Sequence, residues 1–243
     1  MLRRPRPALT LLPALALALS LTACGDDGAA SGGGEGSGSD AVESTAVGTP
    51  FSESGAAAGT ASCSYESDGQ EPAREVDPPP STAQFSGEVP GVVVTNRGDL
   101  RLTLDADNAP CTVSSFTSLA DQGYFDDTPC HRLTGGGSLS VLQCGDPLGE
   151  GFGGPGYQFD DELTGSETYP AGTLAMANAG PGTNGSQFFM VYADSQLPPA
   201  YTVFGTLDDD AVATLEEIAD AGSTPEGDGA PNTDVEILGV STE

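Results

Sequence analysis

Leu100, Leu102 and Leu104 alternate with Arg101 and Thr103, the two-residue period of a strand with one buried face. Val92 to Asn96 reads as its partner, with Arg97-Gly98-Asp99 as the turn of a hairpin. The period then lengthens. Pro110 opens a helix in the first turn, where its missing N–H is not needed; Val113, Phe116, Leu119 and Ala120 form an apolar stripe, and Gly123 stops it. Short apolar runs predict strands near 129–133, 139–143, 172–177, 187–192 and 202–206. A second helix is expected from about Asp210 to Ala221, with Val212, Leu215 and Ile218 on one face, and a last strand from Val235 to Val240. Many short strands and two helices point to a mainly β antiparallel barrel.

The N-terminal pattern is of another kind. Arg3, Arg4 and Arg6 precede an apolar run from Leu9 to Leu21, which is short for a membrane span and reads, over 1–23, as a signal peptide. Leu21-Thr-Ala-Cys24 resembles the bacterial lipobox, which implies cleavage before Cys24 and a lipid on its thiol. The mature chain would then be lipid-anchored at the extracytoplasmic face of the cell membrane without crossing it. Residues 24–80 are dominated by Gly, Ser, Ala, Asp, Glu and Pro and read as a flexible, disordered linker ending in the stiffer Asp77-Pro-Pro-Pro80. Residues 81–243 suffice for one domain with its own core.

Charge narrows the choice of partners. Asp and Glu number 36 against seven arginines and no lysine, a formal net charge of −29. Only Arg74, Arg97, Arg101 and Arg132 would remain after processing. Such a chain is unsuited to nucleic acid or to anionic lipid headgroups as electrostatic partners. Beyond Cys24, the even set Cys63, Cys111, Cys130 and Cys144 in an exported chain reads as two disulfides, with three connectivities open. No pair has C-x-x-C spacing and His131 is the single histidine, so no metal site is expected. Gly149-Glu-Gly-Phe-Gly-Gly154 spells a nucleotide fingerprint, but Pro155-Gly156 follow where a helix should begin.

The most specific signal is Leu174-Ala-Met-Ala-Asn-Ala-Gly-Pro-Gly-Thr-Asn-Gly-Ser-Gln-Phe-Phe189, two apolar strands joined by an irregular polar loop. Together with Cys130-His-Arg-Leu133, Val141-Leu-Gln-Cys-Gly-Asp146 and Tyr201-Thr-Val-Phe-Gly205, in that order along 90–241, it closely resembles the cyclophilin family of peptidyl-prolyl isomerases. The resemblance implies a closed eight-stranded antiparallel barrel with a helix capping each end, and isomerisation of X–Pro bonds without a cofactor. It places the catalytic arginine on Arg132. Substrate-binding positions fall on Val141, Gln143, Gly151, Ala177, Asn178, Ala179, Gln187, Phe189, Leu197 and Tyr201. Phe188 and Phe189 point to opposite sides of their strand; spacing leaves open which of them lines the pocket, and the resemblance selects Phe189. The implied partners are proline-containing segments of unfolded or exported proteins, met by a monomer. If the barrel holds, Cys130 faces Cys144 on a neighbouring strand, and Cys63 would staple the linker to Cys111.

The sequence also departs from the family. About three extra residues, including Gly135-Gly-Gly137, lie between His131 and Gln143. Ser140 falls where a pocket phenylalanine is usual and Val141 where a methionine is, with Leu139 able to substitute through a shifted register.

Overall fold

The computed structural model describes residues 58–242. In chain order these form β1 (Glu66–Ser67), β2 (Glu88–Thr95), β3 (Gly98–Asp105), α1 (Pro110–Asp121), β4 (Thr128–Pro129), β5 (Arg132–Thr134) and β6 (Val141–Cys144). Then come β7 (Tyr157–Gln158), β8 (Thr173–Met176), β9 (Phe188–Val191), β10 (Val203–Leu207), α2 (Asp209–Asp220), β11 (Ser223–Thr224), β12 (Asp228–Pro231) and β13 (Glu236–Thr242). The signal segment and Cys24 lie outside the described residues, as does the linker before residue 58.

β2 and β3 pair over their whole length, from Glu88 opposite Asp105 to Thr95 opposite Gly98. The turn is therefore Asn96-Arg97, tighter than the spacing predicts, and Gly98 enters the strand at φ +133°, a value that suits glycine. Leu100, Leu102 and Leu104 are buried, as their alternation requires. α1 begins at Pro110 with no cap from Ala109, and Glu162 supplies one from a distance. Its carboxylate accepts from the backbone N–H of Cys111 (2.9 Å) and Thr112 (2.8 Å), two of the donors that a first helical turn leaves unpaired. α2 caps itself through Asp208, whose side chain accepts from the Ala211 N–H at 2.8 Å. Its buried face is Ala211, Leu215 and Ile218, with Val212 only partly buried at the margin.

The main sheet has 11 strands in the order β11-β12-β5-β6-β9-β8-β10-β3-β2-β13-β4. It curls into a half-barrel, which corrects the expected closed eight-stranded barrel. The opening lies within one chain segment: β4 ends the sheet beside β13, and β5, after two intervening residues, pairs with β6 and β12 near the other end. Between them the Cys130 N–H still bonds to the Val235 carbonyl at 2.9 Å, so the backbone changes partners there and breaks the ladder. Side chains fill the interior, where Phe116, Phe125, Phe188 and Phe204 are buried with ring centroids 5.2–5.7 Å apart between contacting pairs.

Residues 58–80 correct the linker reading at its C-terminal end. β1 pairs with β7, and Tyr65 packs edge-on against Tyr157 and Phe159 with centroids 5.5 Å away. Arg74 donates to the carbonyls of Gly123 and Asp126, which close the C-terminal turn of α1. Composition concealed this packing because one tyrosine, one arginine and one cysteine carry it. Disulfides join Cys63 to Cys111 and Cys130 to Cys144.

The Cys63–Cys111 link closes a loop of 48 residues and the Cys130–Cys144 link one of 14. In the chain-entropy account, paired Cys→Ser substitution should lower the unfolding free energy by about 4 kcal/mol for the first and about 3 kcal/mol for the second. Urea unfolding of the two double variants checks both the size and the order.

Candidate functional site

Strand alternation builds the site. On β5, β6 and β9, Leu133, Leu142, Cys144, Phe188 and Met190 join the main core. Their neighbours Val141, Phe189 and Val191 form a second, smaller apolar cluster with Tyr169 and Ala175, against which Leu139, Ala177, Leu197 and Tyr201 pack. Spacing alone could not choose between Phe188 and Phe189. Phe188 sits in the core, and Phe189 faces outward with 5% exposure.

This outer cluster floors a cleft of about 140 Å³. Arg132, Val141, Gln143, Ala177, Asn178, Phe189, Leu197 and Tyr201 line it, all of them positions marked out in the sequence. Leu139 lines it as well, whereas Ser140 is buried, its N–H bonded to the Ser195 hydroxyl at 2.9 Å. Thr134 makes that register possible. Its hydroxyl donates to the Leu139 carbonyl and accepts from the Val141 N–H, both at 3.1 Å, pinching the extra residues into a loop outside the strand. The Phe189 ring meets Tyr201 edge-on at 5.7 Å, and Tyr201 is held by Tyr169, whose hydroxyl bonds both its carbonyl (3.0 Å) and its N–H (3.1 Å).

Gly151, Ala179 and Gln187 stand elsewhere, in an adjoining cavity of about 400 Å³. The two hollows share Gln143, Ala177 and Asn178. Asp68 and Gln70, from the segment stapled by Cys63, also line the larger one. Asn178 is partly committed within the protein: its amide donates to the Ala200 carbonyl of the loop before β10 at 2.9 Å, and its side-chain oxygen accepts from the Gly180 N–H of its own loop at 3.2 Å.

A polar relay runs along the floor. Arg132 Nη1 donates to Gln143 Oε1 (3.1 Å), Gln143 Nε2 to Gln187 Oε1 (2.9 Å), and Gln187 Nε2 to the Gly153 carbonyl (3.1 Å). On its other edge the guanidinium grips Asp228, Nε to Oδ1 at 2.7 Å and Nη2 to Oδ2 at 2.8 Å. The hydrogen bonds to Asp228, more than the opposing effect of burial, raise the arginine above its ordinary pKa and hold Asp228 below the usual carboxylate range. The ion pair does not withdraw the side chain, since Arg132 still lines the cleft. Asp228 escaped the sequence reading because β12 is four residues without apolar alternation; only the turn-forming run Pro225-Glu-Gly-Asp-Gly229 hinted at a hairpin.

Asp146 and Tyr169 were missed too. Asp146 is fully buried and accepts from the backbone N–H groups of Leu148, Glu150, Gly151 and Gly153 at 2.7–3.1 Å. Burial pushes its carboxyl up, but these four bonds outweigh that and hold it below the usual range. A Cβ on Gly153 would lie 2.0 Å from Asp146 Oδ1, so the close grip requires glycine there. His131 is not part of the cleft lining; both its ring nitrogens are buried without a hydrogen-bond partner. Among the described residues no cluster of ligating side chains could hold a metal ion.

Residues 92–242 match the family described as cyclophilin type peptidyl-prolyl cis-trans isomerase/CLD. Over 161 residues, 61% of this chain and 52% of the relative, the sequence is 56% identical to the probable peptidyl-prolyl cis-trans isomerase B of Mycobacterium tuberculosis (strain ATCC 25618 / H37Rv). The protein of the same description from Mycobacterium leprae (strain TN) is 48% identical over 195 residues, 72% of this chain and 64% of that one. The chain thus spans about half to two thirds of the curated relatives it matches. A crystal structure of a Cryptosporidium parvum cyclophilin type peptidyl-prolyl cis-trans isomerase superposes with a TM-score of 0.56 at 32% identity, covering 64% of this chain and 98% of the other. The same protein in the presence of the dipeptide Ala-Pro gives 0.55, over 63% and 98%.

Burial, chiefly, and the nearby Arg132 charge hold the His131 imidazole below its ordinary pKa of 6.5, with Asp146 opposing. The unfolded chain therefore binds this proton at a higher pH than the folded one, and stability is lost as pH falls below about 6.5. Between pH 7 and 5.5, the urea midpoint of the native chain should fall further than that of His131→Phe. As the single histidine, His131 should also titrate below 6.5 by NMR.

Proposed function

This chain belongs to the cyclophilin-type peptidyl-prolyl cis-trans isomerase family, and from that premise we propose that it accelerates X–Pro isomerisation in extended segments of exported proteins. The uncatalysed barrier is about 18–20 kcal/mol and arises from amide resonance, so the reaction needs no nucleophile and no proton transfer. A donor aimed at the prolyl nitrogen as it loses planarity binds the twisted state more tightly than the planar one. Arg132 suits that role because its guanidinium stays charged and presents several N–H groups in a fixed plane. Phe189, Val141, Leu139, Leu197 and Tyr201 would seat the proline ring, while Gln143 and the backbone of Ala177 to Ala179 hold the flanking chain. The single observation that carries this reading is the guanidinium at the rim of an apolar cleft floored by Phe189.

We further propose that the chain acts outside the cytoplasm as a lipid-anchored monomer. The signal-like N-terminus, the lipobox-like Leu21-Thr-Ala-Cys24 and the two disulfides support an oxidising compartment.

In a protease-coupled proline-peptide assay on the purified full chain, Arg132→Ala should lower kcat/KM by about 100-fold. Undiminished turnover would remove Arg132 from its role; no turnover in either protein would point to a binding module. Cys24→Ser should move the protein from the membrane fraction to the soluble one and abolish metabolic labelling with a fatty acid. Retained labelling would refute the anchor.

A further inference from the structure

Resting on the isomerase reading, the geometry points to Asp228 as a positioning residue that fixes the plane and direction of the Arg132 guanidinium in the cleft. Arg132 opens a three-residue strand beside the break in the sheet, and its side chain is 37% exposed. A long, flexible side chain there has many alternative rotamers, and Asp228 is one of 36 acidic residues in the chain that could draw it. Asp228 resolves this with a two-point grip. Its Oδ1 and Oδ2 take Nε and Nη2, which fixes the guanidinium plane as a single contact could not. The grip uses the edge away from the relay, so Nη1 remains directed to Gln143 Oε1. Of the five guanidinium N–H groups, three are engaged by Asp228 and Gln143, which leaves two, one each on Nη1 and Nη2.

The hairpin carrying Asp228 is itself registered against the arginine's strand. Asp228 lies opposite Thr134 and Gly229 opposite Leu133, while Ser223 and Thr224 pair with the following residues Pro231 and Ala230 at the outer edge. A Cβ on Gly229 would meet the Thr224 carbonyl carbon at 2.3 Å, so only glycine lets the hairpin close next to the aspartate. On the other side, the Gly227 carbonyl accepts from the Gly135 N–H at 3.0 Å, tying the hairpin to the extra loop that follows β5. Two independent backbone constraints thus bracket one carboxylate, and that carboxylate faces Arg132. An equally short ion pair could instead compete with substrate for the guanidinium. The two roles predict opposite signs when the carboxylate is removed.

The test compares the full chain with Asp228→Ala, Asp228→Asn, Asp228→Glu and Arg132→Ala, using a proline tetrapeptide for turnover and for NMR-detected binding. Asp228→Ala and Asp228→Asn should lower kcat by about tenfold, because a misaimed donor costs rate. Peptide affinity should change by less than about twofold, and Asp228→Glu should restore most of the lost rate. The Arg132 Nε–H resonance, protected from exchange in the native chain, should vanish in Asp228→Ala while the thermal midpoint holds. Turnover in Asp228→Ala at or above the native rate, with Arg132→Ala inactive, would overturn the positioning role and leave the isomerase reading standing. A native chain that shows the protected Nε–H but no turnover would sink both.

Discussion

The period-two alternation of β5, β6 and β9 is the constraint on which the site depends. One face of these short strands is closed by the aromatic interior, so Leu133, Leu142 and Phe188 cannot turn outward without opening a cavity. Their sequence neighbours Arg132, Gln143 and Phe189 are consequently forced to the other face, where they meet. A one-residue slip of β6 would send Gln143 inward and Leu142 into the cleft. The pairing of Arg132 with Gln143 across β5 and β6, and of Gln143 with Phe189 across β6 and β9, is therefore a packing outcome before it is a chemical one.

Around this frame, polar groups are paired in series. The relay from Arg132 to the Gly153 carbonyl reaches the loop that Asp146 organises through four backbone donors. A buried carboxylate satisfied by N–H groups alone is stable without a counter-ion, and it stiffens residues that have almost no side chains to pack. Glu162 does the same for the start of α1. In a chain this poor in cations, backbone amides take over much of the work of holding acids in place.

What was legible in the sequence is what repeats or is locally self-sufficient. Leu100, Leu102 and Leu104 announced β3, and the stripe from Val113 to Ala120 announced α1, because one buried face leaves a period. The residues that line the cleft were found through the long run ending at Phe189 and the shorter blocks around Arg132 and Tyr201. Asp228, Glu162 and Tyr65 were invisible for a common reason. Each acts on residues 46 to 96 positions away, and neither spacing nor composition records such pairs. The sheet's opening was likewise hidden, since the switch of partners at Cys130 leaves no mark on hydropathy. Residues 58–80 looked like a tether because a few anchors, rather than an apolar pattern, hold them down.

The Cys63–Cys111 link also determines where a mechanical load would enter the domain. Tension on the chain preceding Cys63 passes through the sulfur bridge into the first turn of α1, which Glu162 clamps. That route enters through α1, which touches β9 through side chains, where the Phe116 ring meets Phe188. A pull from the N-terminal side would be borne first by the disulfide, the helix and the backbone bonds of Ala61 and Cys63 to Ala83 and Ser81, before it reached the strands that aim the guanidinium.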